Sequence, residues 1–86
     1  MFYVYFLLLA NKDIYKGFST DLKRRMPEHE LGKVESTKNY LPCKLIGYES
    51  YSKESDARRR EKFLKTTEGR RLLKQQYRDA INQINQ

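Results

Sequence analysis

The sequence predicts an α+β fold, in which a three-stranded antiparallel sheet is flanked by helices in the order β-β-α-β-α-α. Residues 2–9 are an unbroken run of aromatic and aliphatic side chains, which is typical of a buried strand. Residues 14–18 follow after a short polar turn and are again rich in apolar side chains. Two polar segments with helical spacing of their apolar residues, 54–65 and 69–84, complete the pattern. We expect one domain over residues 1–86, because a chain of this length has no room for a second core.

The strands are predicted from apolar runs bounded by turns. Residues 2–9 contain no polar break, so the strand that they form should be buried on both faces. The segment 14–18 should return beside it as the second arm of an antiparallel hairpin. Residues 43–51 predict a third strand, interrupted by Gly47, after a polar loop over residues 30–42.

The helices are predicted from capping residues and from the spacing of apolar side chains. Residues 19–21, Ser-Thr-Asp, are typical N-cap residues, so the first helix should begin there. Pro27 removes a backbone donor, so this helix should be kinked, or regular only after it. A second helix over 54–65 should end at a break near residues 66–69. The last helix, from about 69 to 84, has one apolar stripe made of Leu73, Tyr77, Ile81 and Ile84.

The charge balance points to a polyanionic partner. Lys and Arg supply 18 residues and Asp and Glu 11, which gives a net charge of +7 and a pI near 9.6. A chain this basic usually binds nucleic acid and less often a membrane surface. Cys43 is the only cysteine, which excludes an intramolecular disulfide and a zinc site built on cysteines and favours a cytoplasmic setting. The apolar opening is too short to span a membrane and lacks the flanks of a signal peptide.

Helix periodicity places two polar residues of the first helix on its apolar face. Leu22, Arg25, Met26 and His29 follow the spacing i, i+3, i+4, i+7. Arg25 and His29 therefore lie in or beside the stripe that faces the core. Taken alone, His29 is also typical of a partly buried helix residue without a chemical role.

The helix over 54–65 also turns a charged residue inward. Ala57, Glu61 and Leu64 share one face at the spacing i, i+4, i+7. An ionised carboxylate that faces a core is costly unless it is paired or holds a metal. Glu61 is therefore either paired with an arginine at the edge of the core or a metal ligand.

Tyrosines collect on one face of the predicted hairpin. Tyr3 and Tyr5 alternate onto the same side of the first strand, and Tyr15 lies on the facing strand. Buried tyrosines usually serve as core residues with a satisfied hydroxyl, so this cluster alone does not indicate a site.

Five segments together carry a resemblance to a known family. They are Tyr3-Val4-Tyr5, Tyr15-Lys16-Gly17 ten residues after Tyr5, the run Ser19 to Met26 followed by His29, the pair Ser36-Thr37-Lys38 and Pro42-Cys43-Lys44-Leu45, and Ala57 to Lys65. In this order they resemble the GIY-YIG nuclease superfamily, and within it the short stand-alone bacterial members related to the nuclease domain of the repair protein UvrC. The resemblance covers residues 2 to about 74.

The resemblance implies a metal-dependent endonuclease and assigns catalytic roles to Tyr5, Tyr15, Arg25, His29 and Glu61. It implies that Glu61 is the single carboxylate ligand of a divalent cation, Mg²⁺ or Mn²⁺, which suits a hard ion that keeps its waters. Arg25 would neutralise charge on the phosphoryl oxygens. Tyr5 would orient or deprotonate the attacking water, for which a phenol needs activation by nearby positive charge.

Some residues depart from the family's pattern. Lys16 stands between Tyr15 and Gly17 in place of an apolar residue, and should point away from Tyr15 toward phosphate or solvent. Pro27 lies between Arg25 and His29, and no asparagine occupies a clear downstream match. A non-catalytic nucleic-acid-binding module that kept the fold therefore remains the alternative. The third hypothesis is a protein-interaction domain whose charge serves only solubility.

Basic residues are densest in the second half of the chain, where residues 58–74 hold eight cations and two anions. A solvated helix face explains such a run, and so does a phosphate-binding surface with little sequence specificity. We expect DNA rather than RNA as the partner, in branched or damaged form as in DNA repair, no membrane partner, and a monomer or weak dimer. The residues predicted to bind nucleic acid are Lys16, Arg24, Lys38, Arg58, Arg59, Lys62 and Lys65.

Overall fold

Three antiparallel strands form one sheet at the centre of the computed structural model, which describes residues 1–84. The strands are β1 (Phe2–Leu8), β2 (Ile14–Ser19) and β3 (Lys44–Tyr51), in the spatial order β2-β1-β3. The helices are α1 (Leu22–Glu30), α2 (Glu54–Leu64), α3 (Thr67–Gln76) and α4 (Arg78–Ile84), with a 3₁₀ turn at Lys38–Tyr40 in the loop before β3. This arrangement confirms the predicted α+β class.

The central strand β1 separates two cores. Its even-numbered side chains pack against α2 and α3 in a cluster that includes Ala57, Leu64 and Leu73. Its odd-numbered side chains pack on the other face, where Leu22 and Met26 of α1 meet them. The strand is therefore buried on both faces, as its unbroken apolar run predicts. The helices α1 and α2 cover opposite faces of the sheet.

The first helix runs through its proline. Asp21 is the N-cap, and its side chain accepts a hydrogen bond from the backbone N–H of Arg24. The helix then continues from Leu22 to Glu30 with Pro27 inside it, so the expectation of a helix regular only after Pro27 is wrong. Pro27 is exposed, so water can satisfy the carbonyl that loses its donor.

The predicted break near residues 66–69 is shorter than expected, because α2 ends at Leu64 and α3 begins at Thr67. Thr66 is the N-cap of α3, because its hydroxyl accepts a hydrogen bond from the backbone N–H of Gly69. Gly69 belongs to the first turn of α3, where a side chain would collide with the backbone of Phe63 and Leu64. Its missing side chain lets α3 pack directly on the end of α2.

The predicted single helix over 69–84 is two helices. It divides at Tyr77, which lies between α3 and α4. The Tyr77 ring packs on Phe6, with 5.4 Å between ring centroids, and its hydroxyl occupies the space beside Gly47. Leu73, Tyr77 and Ile81 pack on the core as the apolar stripe predicts, and the side chain of Ile84 lies outside the described residues.

No helix within residues 1–84 is long and apolar enough to cross a membrane.

Candidate active site

The hydroxyl of Tyr5 is the meeting point of β1 and α1. Tyr5 is fully buried on the odd-numbered face of β1, and its hydroxyl oxygen lies 2.7 Å from Nε2 of His29. Nε of Arg25 donates a second hydrogen bond to the same oxygen at 3.3 Å. The helical spacing of Arg25 and His29 thus brings both onto the face that covers Tyr5.

His29 continues this contact into the loop after α1. Its Nδ1 lies 2.8 Å from Oγ1 of Thr37, and that hydroxyl lies 3.5 Å from the carbonyl oxygen of Val34. His29 and Thr37 are both fully buried. Thr37 belongs to one of the segments that carry the family resemblance, but its contact with His29 is not predictable from the sequence, because helix periodicity does not extend into the loop that carries it.

With a neutral imidazole, the groups at the two ends of this series of contacts set the direction of its hydrogen bonds. The guanidinium of Arg25 only donates and the carbonyl of Val34 only accepts. Tyr5 therefore accepts from Arg25 and donates its own proton to Nε2 of His29. Nδ1 of His29 carries the ring proton and donates it to Thr37, whose hydroxyl donates to Val34. We call this chain, from Arg25 through Tyr5, His29 and Thr37, the hydroxyl–imidazole relay.

The protonation states agree with that direction. Burial, followed by the positive charge of Arg25, lowers the pKa of His29, which keeps the imidazole neutral and able to accept a proton. Burial raises the pKa of Tyr5 to about 12, although the hydrogen bond from Arg25 acts in the opposite direction. Tyr5 therefore stays protonated at neutral pH, although Arg25 places a positive charge next to its hydroxyl.

Tyr15 and Gly17 complete the same face from the edge strand β2. The ring of Tyr15 lies 6.1 Å from the Tyr5 ring and 5.2 Å from the His29 ring, between centroids. Gly17 pairs directly with Tyr5 across the strands. A methyl group on Gly17 would lie 2.5 Å from the Tyr5 hydroxyl oxygen, so only glycine leaves room for it.

Glu61 lies on α2, on the other face of the sheet. Its side chain is 16 % exposed, between the buried residues Ala57 and Leu64 of the same helix face. Lys65 contacts its carboxylate at 3.2 Å and Arg58 at 3.9 Å. The predicted inward turn is correct, and its closer charged partner is a lysine rather than an arginine at the core edge.

Both charged neighbours of Glu61 lie beside the edge strand β2. The guanidinium carbon of Arg58 lies 3.8 Å from the centroid of the Phe18 ring, while Lys65 lines the same cavity as Lys16. Glu61 lies between Arg58 and Lys65 along α2 and contacts both of them. In the described part of the chain, no hydrogen bond or ion pair links Glu61 to the hydroxyl–imidazole relay.

The donor chemistry of Glu61 fits a magnesium-type ion. Among residues 1–84, no group of three or more His, Cys, Asp or Glu side chains could enclose a metal. Mg²⁺ needs no such enclosure, because it keeps several waters and takes one or two carboxylates together with substrate phosphates. A partly exposed single carboxylate therefore suits Mg²⁺, which would replace the ammonium group of Lys65 beside the Glu61 carboxylate.

The residues predicted to bind nucleic acid lie in two places. Lys16 and Lys65 line a cavity of about 630 Å³ beside Tyr15, together with Arg70, Arg71 and Lys74, which the sequence-based choice of residues missed. The others are on exposed surfaces, where several are held by intrahelical or local ion pairs. These are Arg24 with Glu28, Lys38 with Glu35, Arg58 with Glu54 and Arg59 with Asp56, and Lys62 is exposed on α2.

Comparison with known proteins supplies the family. A model described as the GIY-YIG catalytic domain matches residues 1–78. The chain belongs to the GIY-YIG family. Members are nucleases and generally depend on a divalent metal, so the family implies a nuclease-type function that acts on nucleic acid. The resemblance seen in the sequence is thereby confirmed.

The chain is also similar to small proteins of the UPF0213 group across its length. One from Haloquadratum walsbyi is 33 % identical over 85 residues, which covers 98 % of this chain and 93 % of the relative. One from Staphylococcus haemolyticus is 34 % identical over 73 residues, covering 84 % and 89 %. One from Streptococcus pyogenes is 38 % identical over 64 residues, covering 73 % and 70 %. No solved structure matches the chain significantly.

Proposed function

We propose that this protein is a metal-dependent endonuclease that hydrolyses phosphodiester bonds in DNA with little sequence specificity. The observation that carries the proposal is the hydroxyl–imidazole relay, which joins Tyr5 on the central strand β1 to a neutral, buried histidine on the helix that covers it. A structural tyrosine would need one hydrogen-bond partner, whereas Tyr5 has a cationic donor on one side and a neutral acceptor on the other.

The relay removes a proton from water without forming a free phenolate. The Tyr5 hydroxyl gives its proton to Nε2 of His29 while its oxygen takes a proton from the attacking water. Because Tyr5 is fully buried, this water reaches the oxygen only when the Arg25 guanidinium moves away from it. The resulting hydroxide forms the new bond to phosphorus, and the bond to the leaving oxygen breaks. Thr37 holds the Nδ1 proton of His29 throughout, which stabilises the imidazolium. A tyrosine with a pKa of about 12 is suited to this transfer because it stays protonated at the start.

Arg25 would supply positive charge directly, and Glu61 would supply it through the divalent cation that it holds. Nη1 of Arg25 is held by Glu28 at 2.8 Å and Nε donates to Tyr5, which together orient the guanidinium and leave Nη2 for phosphoryl oxygens. Glu61 would hold the divalent cation, Mg²⁺ or Mn²⁺. Such an ion, when bound, supplies Lewis-acid stabilisation of charge on the phosphate and the leaving oxygen. Tyr15, beside both Tyr5 and His29, would position the scissile phosphate.

The expected setting follows from the sequence. The resemblance to the nuclease domain of UvrC supports DNA over RNA and a role in repair of branched or damaged DNA. The absence of a second cysteine for Cys43 supports a reducing cytoplasm. We propose a monomer or weak dimer with a single domain over residues 1–86.

Cleavage assays with matched glutamate variants test the function. Branched and single-stranded DNA and RNA are incubated with the purified protein, with Mg²⁺ or Mn²⁺, beside Glu61→Gln, Arg25→Ala and Glu54→Gln. Glu54 is the control, because it is an exposed carboxylate on the same helix and is also paired with Arg58. We expect the parent and Glu54→Gln to cleave, and Glu61→Gln and Arg25→Ala to bind without cleaving.

Two results would contradict the proposal. Cleavage that persists in both Glu61→Gln and Arg25→Ala would come from a contaminant and would remove the site assignment. Binding by all four proteins with no cleavage by any of them would establish the alternative, a non-catalytic nucleic-acid-binding module.

A further inference from the structure

A basic cavity lies between the edge strand β2 and helix α3. Its volume is about 630 Å³, and its apolar lining includes Leu9, Ile14 and Leu73. Five cationic side chains and one anionic side chain line the cavity, so its net charge is strongly positive. The cations are Lys16, Lys65, Arg70, Arg71 and Lys74, and the anion is Asp13.

Two of these cations have no counter-ion in the described part of the chain. Lys65 is held by Glu61 and Arg71 by Glu68, at 3.2 and 2.6 Å, and Lys74 lies 3.8 Å from Asp13. Lys16 and Arg70 have no carboxylate within 4.0 Å among residues 1–84. Lys16 is the less exposed of the two, because it is half-buried on β2, whereas Arg70 is exposed on α3.

The surroundings of Lys16 disfavour its positive charge. Burial lowers the pKa of Lys16, and the positive charge of Arg70 lowers it further, followed by smaller effects of Lys65 and Lys74. Only Asp13 acts in the other direction. An anion placed between these side chains would reverse the repulsion and restore the solvation that Lys16 loses.

The cavity adjoins the candidate active site along the same strand. Tyr15 lies at its border and also contacts His29, while Lys16, the next residue, points to the other face of the sheet. We propose that the cavity is a phosphate-binding subsite, in which Lys16 and Arg70 hold a backbone phosphate next to the one that is cleaved. This inference rests on the proposed function for the identity of its ligand, a nucleic-acid strand that follows the edge of β2.

Binding without metal tests the subsite separately from cleavage. A short, fluorescently labelled DNA oligonucleotide is titrated in EDTA over a range of salt concentrations, with the parent and with the double variant Lys16→Gln, Arg70→Gln. The control is Lys44→Gln with Lys53→Gln, which removes the same charge from exposed positions outside the cavity. Circular dichroism confirms that each protein is folded.

The subsite predicts a loss that net charge alone does not explain. We expect the cavity variant to bind about tenfold more weakly than the parent. The slope of log affinity against log salt should be shallower by about one, the value for one lost phosphate contact. The control should keep the parent's slope, and inorganic phosphate at moderate concentration should compete with the oligonucleotide for the parent more than for the cavity variant.

Equal losses in the cavity variant and the control would overturn the subsite, and so would a parent that binds no oligonucleotide. If the cavity variant shows the expected loss and the parent fails to cleave with metal, the subsite stands and the nuclease proposal fails. If the parent cleaves and the cavity variant binds as the parent does, the nuclease proposal stands and the subsite fails.

Discussion

The hydroxyl of Tyr5 lies 2.7 Å from Nε2 of His29, and both side chains are fully buried. The two residues come from different elements, β1 and α1, so their contact depends on how the helix covers the sheet. Because His29 is neutral and Tyr5 stays protonated, the contact is a hydrogen bond along which a proton can move to the imidazole.

Tyr5→Phe tests the hydroxyl at the centre of the relay. The substitution keeps the ring and removes the atom that Arg25 and His29 share, so we expect cleavage to fall about 10²- to 10⁴-fold. Tyr3→Phe is the matched control, because Tyr3 lies on the same face of β1 but packs on Tyr48. The cleavage rates of both variants are compared with that of the parent. Equal rates for Tyr5→Phe and the parent would exclude a role for the hydroxyl.

Acid should destabilise the protein through His29. Burial and Arg25 hold the pKa of His29 below its ordinary value of 6.5, so below that pH the unfolded chain binds a proton more readily than the folded one. The stability from neutral His29 is complete above 6.5 and is lost as the pH falls through the folded pKa. Urea unfolding between about pH 7.5 and 5 should show this loss, with a flatter profile for His29→Gln. Parallel profiles would contradict it.

Acid should also slow cleavage in the parent, because a protonated His29 cannot accept a proton from Tyr5. The cleavage rate should therefore fall as the pH drops through the pKa of His29 in the folded protein, below its ordinary value. A rate that is unchanged over this range would show that another group takes the proton.

Thr37→Val removes the acceptor for the Nδ1 proton of His29. The side chain keeps its shape, but a buried N–H loses its partner, so we expect a loss of about 1–3 kcal/mol in stability. Cleavage should fall as well, since the imidazole is no longer held in one tautomer. Thr67→Val, at an exposed position in the first turn of α3, controls for the change of residue type. An equal effect of both variants on stability would argue against the hydrogen bond.

Gly17→Ala should displace the Tyr5 ring. The added methyl group would lie 2.5 Å from the Tyr5 hydroxyl oxygen, so the ring or the edge strand must shift. We expect a loss of about 1–3 kcal/mol in stability. Even where the protein remains folded at the assay temperature, cleavage should be impaired. A variant with the parent's melting temperature and activity would show that the space beside Gly17 is not limiting.

Lys16→Gln should stabilise the protein while it weakens DNA binding. Burial and neighbouring cations disfavour the charged form of Lys16, so its removal should raise stability by up to about 1 kcal/mol. In the parent, stability should rise with pH as Lys16 loses its proton below the ordinary lysine value of 10.5. Thermal unfolding beside Lys44→Gln measures the difference, and a destabilised Lys16→Gln would show that Lys16 has a structural role.

Much of the candidate site could be predicted because it depends on local periodicity. The spacing of Arg25 and His29 puts both on one helix face, and the alternation along β1 puts Tyr3 and Tyr5 on one side of the strand. The inward turn of Glu61 follows from the same rule. Thr37 could not be predicted in this way, because it acts from a loop that has no fixed period.

The sequence by itself determined the order of the three strands and of the helices as far as α3, the burial of β1 on both faces and the residues that share each helix face. These properties depend on the hydrophobic pattern and the repeat of each element. Only the tertiary structure decided that the last predicted helix divides at Tyr77. It also decided that α1 and α2 lie on opposite faces of the sheet, that Lys65 pairs with Glu61, and that Lys16 and Arg70 share one cavity. Such contacts join residues whose separation in sequence does not fix their distance, so they arise only when the helices pack on the sheet.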